Sequence, residues 1–527
     1  MTNHYQNRLK LLSETHHRTL LGSIHHGIEK EGLRVTPTGQ LSQKSHPKKL
    51  GKALTHPYIT TDFSEALMEF ITPVHRNLDD TFAFLNELHC FASHYLDEEF
   101  IWSGSMPCTL DGETSIPIAC YGHSNTGRMK SIYREGLAHR YGKAMQTIAG
   151  IHYNFSLPPE FWQIIWPDQN ENHGNDQERQ SRGYFALIRN FKRYAWLLMY
   201  LFGASPAVST SFFMDGHASD HLLPFDEDTL YLPFATSLRM SDMGYTNNAQ
   251  TTMNVDYNTL DNYVASLRKA LETPYKPYNA IGVRQGDHYL QLNENLLQIE
   301  NEYYSGIRPK RIIHSGERPV TALIKNGVEY IEVRCLDINP FEPLGISVED
   351  ARFMDIFLLF CALKHSPLIS EDEKKSIHQN FSKTVSEGRN PELRLCRNKR
   401  SVSIPEWGNE LLEAMTPLAI LLDKQNSTGS RFRDSLSLQQ QKMSDRELTP
   451  SAKILKSLRD EKTGYSSWVQ CLSKKYQQDF RHFNMAQKRT GYFQDLSERS
   501  RQDFEHLERQ LQPDFDTFLA QYNNIIR

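Results

Sequence analysis

Four short segments carry charged residues where strand alternation would gather them on one face, and this limits how the chain can fold. Side chains alternate between the two faces of a strand. In Gly27-Ile-Glu-Lys-Glu-Gly-Leu-Arg-Val35, Glu29 and Glu31 point the same way. In Ala66-Leu-Met-Glu-Phe-Ile-Thr72, Glu69 shares a face with Leu67 and Ile71, while Met68 and Phe70 face away. His152, Asn154 and Ser156 share one face of Ile151–Leu157, and Glu332 and Arg334 share one face of Tyr330–Cys335. The alternate positions Ile151, Tyr153, Phe155, Ile331, Val333 and Cys335 are suited to packing. Glutamate fits poorly in strands and is costly to bury unless it is paired or binds a metal. A solvated polar face explains one such strand; four in one chain weaken that explanation. Several carboxylates and one imidazole on a single face suit Mg²⁺ or Mn²⁺, which take hard oxygen ligands.

Two basic features complement the acids. Arg239 lies in Ala235-Thr-Ser-Leu-Arg-Met-Ser-Asp-Met-Gly-Tyr245, and Arg308, Lys310 and Arg311 form an IRPKR cluster. Guanidinium forks recognise carboxylate and phosphate through paired hydrogen bonds. Taken singly, each basic residue reads as surface. Together with acidic metal ligands they fit an anionic, metal-bound nucleotide.

The rest of the chain narrows the class. Its 59 Lys+Arg and 63 Asp+Glu give a formal charge of −4, without the basic excess of a general nucleic-acid binder. The first twenty residues contain no apolar run of the secretory kind. The longest apolar run, Tyr194 to Val208, is broken by Ser205 and Pro206, short of the ~20 residues a membrane span requires. Seven scattered cysteines without a CxxC argue for reduced thiols and a cytoplasmic setting. Neither a Rossmann turn nor a Walker loop is present. Periodicity predicts an amphipathic helix over 1–21, strands within 22–75, and helices over 75–99, 129–141, 184–202 and 348–364. It predicts a loop over 100–127, an exposed polar loop over 166–183 and alternating strands over 285–335. The charged, Gln-rich tail after residue 370 reads as helical.

The ordered blocks GIEKEGLRV (27–35), LTHPYITTDFSEALMEFITPV (54–74), YGHSNTGRMKSIYREGLAHRYG (121–142), MQTIAGIHYNFSLP (145–158), YLFGASPAV (200–208), SLRMSDMGYTN (237–247), LQIENEYYSGIRPKR (297–311) and EYIEVRCLDINPFEPLGI (329–346) resemble the gamma-proteobacterial type of glutamate–cysteine ligase. The resemblance covers about residues 22–365 and is weaker in the tail. It implies an α+β fold: a curved antiparallel sheet, a funnel like the catalytic sheet of glutamine synthetase, surrounded by helices. The catalytic domain would occupy 1–369, with a helical C-terminal region, 370–527, packed on the same unit.

The implied reaction joins the γ-carboxylate of L-glutamate to L-cysteine with ATP as co-substrate, through γ-glutamyl phosphate. By resemblance, Glu29, Glu31, Asp62, Glu69, His152 and Glu332 are the metal-site residues for Mg²⁺ or Mn²⁺. Arg334 is assigned to the transferred phosphoryl group or the acyl phosphate, Arg239 to substrate glutamate, and Arg308, Lys310 and Arg311 to the nucleotide. The acceptor cysteine is expected against Phe63, Tyr133, Leu137, Gln146 and Tyr245. Ser124–Arg128 is expected to be a mobile cover. The expected partners are small molecules, without nucleic acid or membrane, and the expected state is a monomer. Three other readings stay open at this point: a carboxylate–amine ligase with a different acceptor, a divalent-metal hydrolase, and a noncatalytic metal-binding scaffold, which leaves the arginines unexplained.

Overall fold

The acidic segments become strands of one sheet. The computed structural model describes residues 3–166, 175–213, 221–243, 253–313, 317–427 and 429–524. The first strands are β1 (His25–Val35), β2 (Ile59–Thr61), β3 (Leu67–Ile71), β4 (Phe100–Ile101) and β5 (Ile151–Ser156). β6 (Ala207–Ser209), β7 (Leu223–Pro224) and β8 (Thr229–Tyr231) make a small separate sheet, and β9 (Arg284–Gln285) pairs with β10 (His288–Tyr289). The chain then returns to the main sheet with β11 (Ile307–Lys310) and β12 (Tyr330–Leu336). A hairpin of β13 (Arg394–Arg397) and β14 (Arg400–Ser403) interrupts the helical tail. The main sheet runs β11-β12-β5-β1-β3-β2, with β4 paired to the end of β1. Every pairing in it is antiparallel, and the sheet is open.

One face of this sheet is apolar. Ile28, Met68, Phe70, Ile151, Tyr153, Phe155, Ile331, Val333 and Cys335 are all buried. The helix Val348–Leu363 is tied to that face by Asp355. Its carboxylate accepts from the Tyr153 hydroxyl at 2.8 Å and lies 2.9 Å from His26 Nε2. The helix Leu78–Ser93 supplies His89, whose ring lies against Phe70 and whose Nε2 is 2.9 Å from Lys30 Nζ. One hydrophobic cluster runs from Tyr5 to Phe493, so tail helices and sheet share a core. Among the described residues no helix is long and apolar enough to cross a membrane.

Several local expectations are corrected. The predicted helix over 1–21 is divided into Asn3–Ser13, Thr15–Arg18 and a 3₁₀ turn, Thr19–Ser23. The polar stretch expected to loop through Gly183 is already helical from Asp176; residues 167–174 lie outside the described residues. Asn175 accepts from Glu178 N, and Asp176 and Glu178 sit in the first turn, so polar residues start the helix. Residues 285–335 do not alternate throughout: Pro319–Asn326 is a helix with proline in its first turn, and only β11 and β12 enter the main sheet.

Candidate active site

The sheet register assembles the charged face. Glu29 pairs with His152 and Glu31 with Glu69; Glu332 lies between Asn154 and Arg308. Directly opposed residues of an antiparallel pair share a face, so charged residues far apart in sequence converge. His152 Nδ1 is 3.0 Å from Glu29 Oε2 and its Nε2 is 3.6 Å from Glu31 Oε1. Ligand atoms of Glu29, His152 and Glu332 all lie within 4.8 Å of one another. Glu332 also meets Lys310 Nζ at 3.1 Å and Arg334 Nη1 at 3.1 Å.

The electrostatics divide the acids into two groups. Burial opposes the ionisation of Glu332, yet Lys310 and Arg334 hold its carboxyl well below the usual range. Burial also opposes ionisation of Glu29, and the hydrogen bond with His152 brings its carboxyl below the usual value. At the other end of the row, burial raises Glu31 despite His152. Burial, reinforced by Glu29, Asp62 and Glu31, raises Glu69 well above its ordinary value. The protein's own cations therefore do not balance the Glu31–Glu69 end. Asn154 Nδ2 donates to Glu29 Oε1 at 2.8 Å, while its buried Oδ1 accepts no hydrogen bond from the described residues. Crowded carboxylates, one imidazole and an orphaned carbonyl oxygen are a donor set that fits a hard divalent cation.

A cavity of about 630 Å³ adjoins this row, touching Glu31, His152 and Arg334. Asp62, Phe63, Tyr133, Leu137, Gln146 and Arg239 also line it. Tyr133 and Leu137 are one turn apart on the helix Asn125–Tyr141. Gln146 accepts from the Tyr304 hydroxyl at 3.0 Å, and its Nε2 donates to none of the described groups. Arg239 is buried; its Nη2 donates to the Arg334 carbonyl at 2.9 Å and its Nη1 is 3.6 Å from Asp337 Oδ1. Tyr245 lies outside the described residues.

The IRPKR residues separate. Lys310 joins the acidic row. Arg308 is buried and donates to the carbonyls of Asn301 and Tyr303, so part of its fork braces that turn. Arg311 bonds the Asn326 carbonyl and lies 3.7 Å from Glu329, away from the row. The three residues therefore make different contacts, with Lys310 the last residue of β11 and Arg311 beyond its end. The loop expected over 100–127 ends at Ser124. Ser124 caps a helix that begins at Asn125, and the segment is held by hydrogen bonds to Glu508 and Gln512. Sequence reading missed Gly150, Asp337 and the helix Glu371–Glu387, which lines the cavity with Lys374, His378 and Phe381. Asn154 was visible on the His152 face but not singled out.

The glutamate–cysteine ligase family model matches residues 9–384. A glutamate–cysteine ligase of Azotobacter vinelandii is 50% identical over 529 residues, covering 100% of this chain and 99% of its relative. One from Pseudomonas aeruginosa is 50% identical over 515 residues, covering 98% and 97%. The crystal structure of a Francisella tularensis glutamate–cysteine ligase in complex with AMP is similar at a TM-score of 0.89 and 36% identity, covering 95% of this chain and 97% of that one. A full-length family match, on a sheet that gathers the same acidic blocks beside a cavity, places the chain in the glutamate–cysteine ligase family.

Proposed function

We propose that the protein uses ATP to join the γ-carboxylate of L-glutamate to the amine of L-cysteine, giving γ-glutamylcysteine, ADP and phosphate. This is the first step of glutathione synthesis. Family membership supports the reaction. The observation that carries the site is the cross-strand row of Glu29, Glu31, Glu69, His152 and Glu332, which meets the cavity through Glu31 and His152.

A carboxylate acylates amines poorly because oxide is a poor leaving group. In the proposed path a γ-carboxylate oxygen of glutamate attacks the terminal phosphorus of ATP. The bond from that phosphorus to the bridging oxygen breaks, and ADP leaves. The unprotonated amine of cysteine then attacks the acyl carbon, and phosphate departs. Mg²⁺ or Mn²⁺, held by the acidic row with Asp62 nearby, would neutralise phosphate charge. Arg334 presents its guanidinium to the transferred phosphoryl group, held in place by Glu332. Lys310 adds positive charge at the same end. Arg239 receives glutamate in the cavity. Phe63, Tyr133 and Leu137 give the acceptor a small, largely apolar pocket, with Gln146 as a polar contact.

ADP release should require glutamate and cysteine together, and mass measurement should identify γ-glutamylcysteine. Equal turnover with ammonia or a polyamine in place of cysteine would overturn the acceptor assignment. Glu332→Gln should lower kcat by about 10²-fold or more without changing the unfolding temperature greatly. Near-normal turnover of that variant at saturating Mg²⁺ would remove Glu332 from the site.

A further inference from the structure

Gly150 lies just before β5 and is bonded to Glu31, a member of the acidic row that lines the cavity. Its N–H donates to Glu31 Oε2 at 2.6 Å, and its carbonyl accepts from Glu31 N at 3.1 Å. A Cβ at this position would stand 2.0 Å from Arg239 Nη2, 2.5 Å from its Cζ and 2.8 Å from its Nε. All three atoms belong to one guanidinium. The Gly150 backbone is not in the left-handed region, so what opposes a larger residue is space alone: the guanidinium would have to shift.

The guanidinium has little freedom to retreat. It is 2% exposed, donates to the Arg334 carbonyl and has Asp337 at 3.6 Å. Asp337 is fixed in turn: it accepts from Ala204 N at 2.8 Å, Ser205 Oγ at 2.7 Å and Ser237 Oγ at 3.0 Å. Arg239 therefore lies between an anchored carboxylate and a glycine whose missing side chain makes its place.

We infer that Gly150 is a positioning residue that seats the Arg239 guanidinium for substrate glutamate, while its N–H holds Glu31. One residue thereby links the amino-acid cavity to the acidic row. The inference rests on the proposed assignment of Arg239 to glutamate. An alanine at 150 keeps the N–H, so the contact to Glu31 persists and only the guanidinium is displaced. Guanidinium–carboxylate recognition is directional, and a displacement of about 1 Å at a positioning group costs roughly 10²-fold.

The test is a double-mutant cycle in the full-length enzyme. Gly150→Ala should raise the KM for glutamate by about 10- to 100-fold while the KM for ATP stays within a few-fold of wild type. Arg239→Ala should raise the glutamate KM as well. Adding Gly150→Ala to Arg239→Ala should cause no further rise, because the colliding group is gone. An Arg239→Ala enzyme with an unchanged glutamate KM would overturn the assignment of Arg239 itself. An impaired Arg239→Ala enzyme together with a silent Gly150→Ala, or with effects that multiply, would leave that assignment standing and overturn the role of Gly150. If Gly150→Ala alone does not fold, the double variant should, since it relieves the same collision; a double variant that is equally unfolded overturns the inference.

Discussion

Glu31 and Glu69 stand directly opposite each other across β1 and β3, and like charges so placed are destabilising. The cost falls on the metal-free protein. The Glu69 carboxyl is raised well above its usual value by burial first, then by Glu29, Asp62 and Glu31. A raised carboxyl contributes stability that is complete below the unfolded value of about 4.3 and is lost as pH rises through the folded value. Glu69→Gln removes that titration and keeps the shape. Without metal, the variant should be more stable than wild type near pH 7.5 by roughly 1 kcal/mol, and the difference should shrink toward pH 4. With Mg²⁺ and nucleotide the order should reverse, because a ligand that binds the folded state stabilises in proportion to its affinity. Urea unfolding at both pH values, with and without Mg²⁺, measures this. A variant less stable than wild type without metal would mean that the opposed carboxylates are already satisfied by the protein.

The helix Asn125–Tyr141 carries Tyr133 and Leu137, and its start is held from the far end of the chain. The Glu508 carboxylate accepts from His123 N at 3.0 and 2.9 Å and from Ser124 N at 2.7 Å, and Gln512 Oε1 accepts from Asn125 N at 2.7 Å. The leading N–H groups of a helix have no partners within it, and an anion there also meets the helix dipole favourably. Gly122, at φ +88°, leaves room for this contact; a Cβ there would meet Phe504 at 2.5 Å and Glu508 at 2.7 Å. Glu508→Ala should cost about 1 kcal/mol of stability and should raise the KM for cysteine more than that for ATP. Glu508→Gln, which keeps an acceptor oxygen, should fall between. Equal rises in both KM values would show general loosening instead of a shifted acceptor helix. No local pattern announces such a contact, because its partners are 385 residues apart. The same reason hid Asp337 and the cavity face of Glu371–Glu387. Glu29, Glu69, His152 and Glu332 were legible because alternation of period two is a local signal, and polar residues on strands break the usual pattern. Arg311 shows the converse limit: adjacency to Lys310 does not reveal that one cation meets Glu332 and the other Glu329.

At the scale of the molecule, the proposed division at residue 369 is a change of composition more than a break in packing. Helices Ile404–Asn426 and Arg431–Ser444 pack on Val348–Leu363, and Tyr465–His482 packs on Leu78–Ser93, both of them behind the sheet. The Trp407 ring lies tilted against Trp196 with centroids 4.8 Å apart, and the Tyr476 hydroxyl donates to the Pro340 carbonyl at 2.9 Å. The charged, Gln-rich composition read correctly as exposed helical surface. The buried faces, such as Leu411, Met415, Leu418 and Leu422 on one helix, show what that surface covers. A chain ending at Ile369 would expose the mates of these residues and lose the cavity wall supplied by Lys374, His378 and Phe381. Such a fragment should be expressed insoluble or, if soluble, should lack a cooperative unfolding transition and any glutamate-dependent ADP release. Adding residues 370–527 as a separate chain should restore part of both, since the contacts are noncovalent. A soluble fragment with a sharp transition and wild-type turnover would make the tail an accessory. The shared core predicts the opposite, because large apolar surfaces left uncovered are what drive aggregation.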